Sequence, residues 1–311
     1  MRLSRLVSLM LTAGCPTVGG QAVLEGVMMR NGDAYALALR RPDGEIVARR
    51  MPWFSLTRHP WLKKPFVRGF PVLIETLVNG IKALNRSAEH QAEGTEEELK
   101  GWHLVLTLLL SLAMAVGLFV VVPHLLSLLM QWLELGGGVE GLTFHLWDGL
   151  FKCLIFMGYI WAISFVPDIR RVFQYHGAEH KTIFCYEAGL PLTVENCRIQ
   201  PRHHPRCGTS FLFVVVVVSI LVSSLVFSFV NWRNMWVRMA LHLLLLIPIV
   251  GVTYEFNRYV GGHDNKVTRF LARPGLWLQN FTTNEPDDSM LEVAIRALEL
   301  VIPEEKGKDA W

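Results

Sequence analysis

The 311-residue chain is 51% hydrophobic and only 18% charged, a balance too apolar for an ordinary soluble protein of this length. Its net charge of +3 is not gathered into a basic patch on a nucleic-acid-binding motif, which excludes nucleic acid as a partner. The five cysteines, an odd number at irregular spacing with no CxxC, exclude a disulfide framework.

The chain opens MRLSRLVSLMLTAGC, and its two arginines, short apolar run and Cys15 invite a lipoprotein reading. Against it, the run is near the lower limit for a leader, and Thr12 stands where leucine is preferred. Residues 19–30, GGQAVLEGVMMR, read as an extended stretch entered through paired glycines. Ala34 to Arg40 and Glu45 to Met51 are strand-like runs around Arg41-Pro42-Asp43-Gly44, a composition that predicts a hairpin. From Phe66, the positions Phe70, Leu73, Leu77, Ile81 and Leu84 predict an amphipathic helix ending near Ser87. Trp53, Phe54 and Trp61, mixed with Arg58, Lys63, Lys64 and Arg68, suit either a lipid headgroup zone or a small core against the hairpin.

Apolar stretches long enough to cross a bilayer follow: Leu104 to Met130, Leu146 to Val166, Phe211 to Val230 and Met235 to Tyr254. The valine-rich run Phe213 to Val218 resembles a buried strand, but it continues through Phe229 and so exceeds strand length. Lys and Arg number 14 in residues 1–103, none in 131–145, six in 167–210 and seven from 255 onward. Both termini and the central connector are therefore expected on the cytoplasmic side. His242 is a lone polar candidate within a span and makes a transporter a weak reading. In the tail, Pro274 to Gln279 and Thr282 to Asn284 read as an ordered loop against the membrane face, followed by a helix from Pro286-Asp287-Asp288 with Leu291, Ile295 and Leu298 on one side.

The expected fold is thus a mainly α integral membrane protein of four transmembrane helices with a small cytoplasmic α+β part. Its parts are a cytoplasmic α+β region (1–103), a transmembrane hairpin (104–166), a cytoplasmic connector (167–210), a second transmembrane hairpin (211–254) and a cytoplasmic tail with a helix (255–311).

The connector holds the densest set of metal-capable side chains. His176 and His180, one helical turn apart in HxxEH, project from one face close enough to share a metal, with Glu179 beside them. A second group, His204-Pro205-Arg206-Cys207, precedes the third span and offers either His204 or Cys207 as a further ligand. Cys185 and Cys197 are weaker ligand candidates, and Glu255 at the end of the fourth span is a candidate to orient a ligand histidine. Interfacial contacts to lipid phosphate are the plainer reading of such residues beside spans, and Gly177 weakens the helix that the geometry needs.

Four segments, 19–30, YHGAEHK at 175–181, HPRCGTSF at 204–211 and PGLWLQ at 274–279, together resemble the YqhQ-like family, bacterial membrane proteins of unknown function sometimes described as predicted metal-dependent enzymes. The resemblance runs from about Gly19 to Leu298. It implies a bacterial source and a plasma-membrane location, and it supplies no reaction.

Two functions of different class follow. In the first, His176, His180 and His204 or Cys207 hold zinc, Glu179 is the base, and Lys181 and Arg206 stabilise an oxyanion or hold a phosphate, giving a hydrolase for a peptide segment or lipid headgroup at the membrane surface. In the second, the chain is a scaffold or assembly factor whose metal staples the connector in place. A closed four-ligand site marks the second, an open three-ligand site the first.

Overall fold

The computed structural model describes residues 18–92, 101–135, 138, 141–229, 235–263 and 265–303. Cys15 and residues 304–311 lie outside the described residues, as does the side chain of His242.

Four strands, β1 (Gly19–Val23), β2 (Gly26–Asn31), β3 (Ala34–Arg40) and β4 (Ile46–Pro52), pair antiparallel in chain order. The stretch read as one extended segment is folded back on itself as β1 and β2, with Gly19 opposite Arg30. Glu25, in the turn between them, takes a positive φ of 49°, and its carboxylate is held by the Arg171 guanidinium at 2.5 and 2.6 Å. The hairpin expected around Arg41–Gly44 forms as β3 and β4, with Arg40 opposite Ile46 and Gly44 supplying a φ of 92°.

Alternation along the strands buries both faces of this sheet. Val27, Met29, Ala36 and Ala38 pack with Tyr175, Ala178, Met290, Leu291 and Leu298 on one face. Val23, Met28, Leu37 and Leu39 pack with Trp53 and Ala83 on the other. The part outside the long apolar helices is therefore three layers: helix α1 (Gly69–Ala92), the sheet, and a layer of α5 (Pro167–Glu187) with α10 (Asp288–Glu299).

α1 presents its faces opposite to the usual sense. Glu75, Asn79, Ala83 and Ser87 face inward and are buried, while Leu77, Ile81 and Leu84 of the apolar stripe point out. Glu75 explains the inversion, because its carboxylate accepts from Trp53 Nε1 (3.2 Å), Ser55 Oγ (3.0 Å) and the backbone N–H groups of Leu56 and Thr57 (both 2.6 Å). Burial alone would push its pKa up, but the donors from Thr57, Trp53 and Ser55 more than offset that and hold it below the usual carboxylate range. A depressed folded pKa means the stabilisation is complete above the unfolded value of about 4.3 and is lost as pH falls through the folded value. Glu75→Ala should cost about 3 kcal/mol, because it orphans buried donors. The difference between variant and wild type in chemical unfolding should shrink as the pH is lowered below about 4. A pH-independent difference would refute this origin.

Beyond α1, four helices among the described residues are long and apolar enough to cross a membrane, spanning Leu109–Trp132, Leu142–Ile163, Gly208–Val226 and Leu243–Gly262. The first is continuous from α2 (Gly101–Val116) through a π-helical turn at Gly117–Val121 into α3 (Val122–Trp132). The widened turn ends two residues before Pro123, which has no N–H to close the ordinary helical bond. The others are α4 (Leu142–Ile163), α7 (Gly208–Phe229) and α8 (Met235–Gly262), the last reaching eight residues beyond the expected end at Tyr254. α3 packs on α4, α4 on α7 and α7 on α8. Their outer side chains, such as Leu110 at 68% and Leu221 at 60%, stay exposed. Within α4, Asp148 and Lys152 neutralise each other one turn apart at 2.5 Å.

The segment expected as a loop at 274–284 is instead largely helical, forming α9 (Lys266–Thr282). Asn265 starts it with a reciprocal capping box, its side chain accepting from the N–H of Val267 and Thr268 while Thr268 Oγ1 accepts from the Asn265 N–H. Pro274 is carried inside the helix, next to Gly275, where an added Cβ would lie 2.6 Å from Ser210 of α7. A short α6 (Val194–Arg198) follows α5, and α10 begins at the Asp287 cap as its acidic start predicts.

Candidate metal centre

α5 begins at Pro167, a residue with the φ of a first helical turn and no N–H to satisfy. It then runs as a buried helix, carrying Tyr175, Ala178 and Ile183 toward the sheet and α10. That packing fixes the rotation of the helix and sets where its other faces point. His176 and His180 fall on one of them, ring centroids 4.4 Å apart. The loop leading into α7 brings Cys207 to the same point, with Sγ 3.2 Å from His176 Nε2. One donor atom from each of His176, His180 and Cys207 lies within 4.8 Å of the other two, a spacing that could hold a metal ion.

Both imidazoles are oriented from behind. His176 Nδ1–H donates to the Thr282 carbonyl at 2.7 Å, and His180 Nδ1–H to the Arg202 carbonyl at 2.6 Å. Each ring is thereby fixed in the tautomer whose Nε2 carries the lone pair, the usual support for a metal-binding histidine. Burial pulls His180 down to about 4, so its imidazole is neutral at ordinary pH. Burial disfavours the Cys207 thiolate, but His180 and the hydroxyl and N–H of Thr209 at 3.1 and 3.4 Å outweigh it and lower the thiol's pKa.

Glu179 is 5% exposed. One carboxylate oxygen has no hydrogen-bond partner, and the Gly20 N–H donates to the group. Burial pushes its pKa up to about 8, opposed by the nearby His176. Gly20 must be glycine for this approach, since a Cβ there would stand 2.9 Å from Cγ and Cδ of Glu179 and 2.7 Å from the Met28 carbonyl. Gly177, which weakens an isolated helix, has an equally specific reason. The Asn284 carbonyl would lie 2.0 Å from its Cβ, where the chain leaving α9 crosses α5 and donates Asn284 N–H to the Phe173 carbonyl at 2.8 Å.

The structure separates the other expected site residues from this cluster. His204 is buried beside His180, but its Nε2 faces Glu187 at 3.4 Å and its Nδ1 accepts the Arg206 N–H at 3.2 Å, so of the two candidates for the third ligand it is Cys207 that joins the histidines. Arg206 is ion-paired with the same Glu187. Lys181, 4% exposed, is tied to Glu285 at 2.5 Å and to the Arg198 carbonyl at 2.8 Å. In this arrangement the two cations are engaged by Glu285 and Glu187 and brace the connector. Glu255 pairs bidentately with Arg68 at 2.7 and 2.6 Å, fastening the start of α1 to α8 and orienting no histidine. Cys185 and Cys197 are packed into the core shared by α5, α10 and the sheet.

Sequence reasoning missed the supports. Gln279, fully buried, accepts the His204 N–H at 2.8 Å and donates to the His204 carbonyl at 2.8 Å and to Ser210 Oγ at 3.0 Å, holding the loop that carries Cys207. Thr282 contributes a backbone carbonyl, to which a side-chain motif gives no clue. Gln279 and Gly20 do lie in the motif segments 274–279 and 19–30, and the structure shows those segments converging on the HxxEH helix.

Residues 64–304 match the family described as Protein of unknown function (DUF1385). The chain belongs to this family. It is 37% identical over 299 residues to the Uncharacterized protein YqhQ of Bacillus subtilis (strain 168), covering 91% of each chain. No solved structure matches it. The family match takes in α1, all four apolar helices, the HxxEH helix and the loop to Cys207, so the whole metal-capable cluster lies inside the family's extent.

Proposed function

We propose that the protein is a membrane-embedded metal-dependent hydrolase, with a divalent cation, zinc by its ligand chemistry, held by His176, His180 and Cys207. The observation that carries this reading is the convergence of the three donors with both Nδ1–H groups already committed to backbone carbonyls. Two imidazoles and a thiolate suit zinc, and three protein ligands are the number that leaves a coordination position open. A cation bound there would act as a Lewis acid and make a water acidic near neutral pH. Glu179 is the proton acceptor on this reading: its unpartnered oxygen is buried beside His176 and Cys207, the Gly20 N–H holds the group in place, and a cation bound beside it would draw its pKa down from about 8 and favour the carboxylate form that accepts the proton. The substrate on this reading is a peptide segment or lipid headgroup presented at the membrane face.

The location belongs to the same reading. The bacterial plasma membrane holds four spans, with both termini and the connector in the cytoplasm, because Lys and Arg are absent from 131–145 and abundant in the other long segments. A reporter inserted after residue 137 should read as external and one near residue 200 as cytoplasmic. The reverse result would invert the assignment.

A second reading, a scaffold with a structural metal, is favoured by one observation: His180 at 2% and Cys207 at 6% exposure are more buried than a site open to a large substrate requires. The first experiment for both is metal analysis of the purified protein, with one zinc per chain expected. A chain that purifies without metal and takes up none on reconstitution refutes both.

A further inference from the structure

α9 is amphipathic in a way that its own packing leaves unused. Thr268, Gly275, Leu278, Gln279 and Thr282 are buried against the protein, and two of them support the metal-centre loops. Val267 at 63%, Phe270 at 65%, Leu271 at 37% and Trp277 at 53% exposure form a second, outward stripe at helical spacing, joined by exposed Pro274. Lys266, Arg269 and Arg273 are exposed and fall beyond the stripe, on its side away from the buried face. Arg273 lies along the Phe270 ring, 5.9 Å from its centroid.

The height of this helix in the molecule is fixed by its neighbours. It starts four residues after α8 ends, and it packs on α7, α8 and α4, three of the four apolar helices. Gly275 sits against Ser210, in the first turn of α7. The outward stripe is therefore continuous with the exposed apolar sides of the spanning helices, at the level where those helices leave the bilayer. Tryptophan and phenylalanine flanked by basic side chains are what the headgroup boundary accepts, with the charged heads reaching to phosphate.

We propose that α9 is an interfacial helix: Val267, Phe270, Leu271 and Trp277 seat in the headgroup and acyl boundary of the same bilayer, and Lys266 and Arg273 contact anionic lipid. This rests on the reading of the four apolar helices as membrane spans. It makes the lipid surface a structural partner of the metal centre, because the helix that enters the lipid is the one whose inner face holds His176 through Thr282 and the Cys207 loop through Gln279.

The test uses the full chain in lipid nanodiscs, with nitroxide labels on single cysteine substitutions at Phe270 and Trp277, at Leu221 of α7 as a bilayer reference and at Asp43 as an aqueous one. The signal of identically treated wild type is subtracted. Labels at 270 and 277 should collide with dissolved oxygen in preference to a water-soluble nickel chelate, as at 221 but less deeply, while 43 shows the opposite preference. Adding anionic phosphatidylglycerol to zwitterionic lipid should deepen 270, and Lys266→Glu with Arg273→Glu should remove that increment. The proposal is overturned if 270 and 277 behave as 43 does. It is equally overturned if they are shielded from both reagents, which means protein covers the stripe, with spin–spin broadening marking a second copy. A water-exposed 221 would instead sink the membrane reading itself. Loss of only the anionic-lipid increment in wild type would overturn the headgroup part.

Discussion

Replacing His180 by alanine should leave the purified protein without stoichiometric metal. The site has three donors, and structural zinc centres bind with roughly 10–16 kcal/mol, so losing one of three removes about 3–5 kcal/mol. That is on the order of a hundredfold to several-thousandfold weaker affinity. His180 is the more informative of the two histidines, because its ring is 2% exposed and its Nδ1–H is committed to the Arg202 carbonyl. Alanine there also leaves that carbonyl without its donor, and circular dichroism should accompany the metal measurement to show that the helical content persists. The parallel substitution His204→Ala should leave metal binding within a few-fold of wild type, since Nε2 of His204 faces Glu187. If His204→Ala empties the site and Cys207→Ser does not, the ligand set drawn here is wrong.

Glu179→Gln should retain the metal and abolish function. Glutamine keeps the shape of the side chain and can still accept from Gly20, but it cannot take up a proton. Loss of a general base costs on the order of a hundredfold to ten-thousandfold in rate, enough to prevent the variant from complementing deletion of the gene. Two results point elsewhere. Loss of metal on this substitution would make Glu179 a ligand, and full complementation with metal retained would make the centre structural, leaving the scaffold reading in place.

Those features of the fold that depend on local periodicity were legible in the sequence. The Arg41–Gly44 turn, the apolar helices and the acidic start of α10 each follow from a pattern within about twenty residues. So did the HxxEH face, which needs only the helical repeat to bring His176 and His180 together. What escaped depended on contacts between distant segments. The α1 stripe was visible as Phe70, Leu73, Leu77, Ile81 and Leu84, but its outward sense is decided by Glu75, whose partners Trp53 to Thr57 come from another part of the chain. Pro274 and Gly275 argued locally for a loop, and α9 forms because its cap and its packing on Ser210 override them. For the same reason, choosing Cys207 over His204, three positions away in sequence, required the loop geometry that Gln279 imposes. The roles expected of Lys181 and Arg206 came from charge alone, and their partners Glu285 and Glu187 could not be paired with them from spacing.

The strap that crosses α5 at Gly177 also sets a timetable. His176 waits for the carbonyl of Thr282, 106 residues further along the chain, whereas His180 needs only Arg202, 22 residues on. A ribosome making this protein N-terminus first has therefore produced all four apolar helices before the second imidazole-orienting contact can exist. Until α9 emerges, the cluster lacks both the Thr282 carbonyl that orients His176 and Gln279, which holds the loop carrying Cys207. A chain ending after α8 would carry His176, His180 and Cys207 but lack the tail contacts that orient His176 and hold the Cys207 loop.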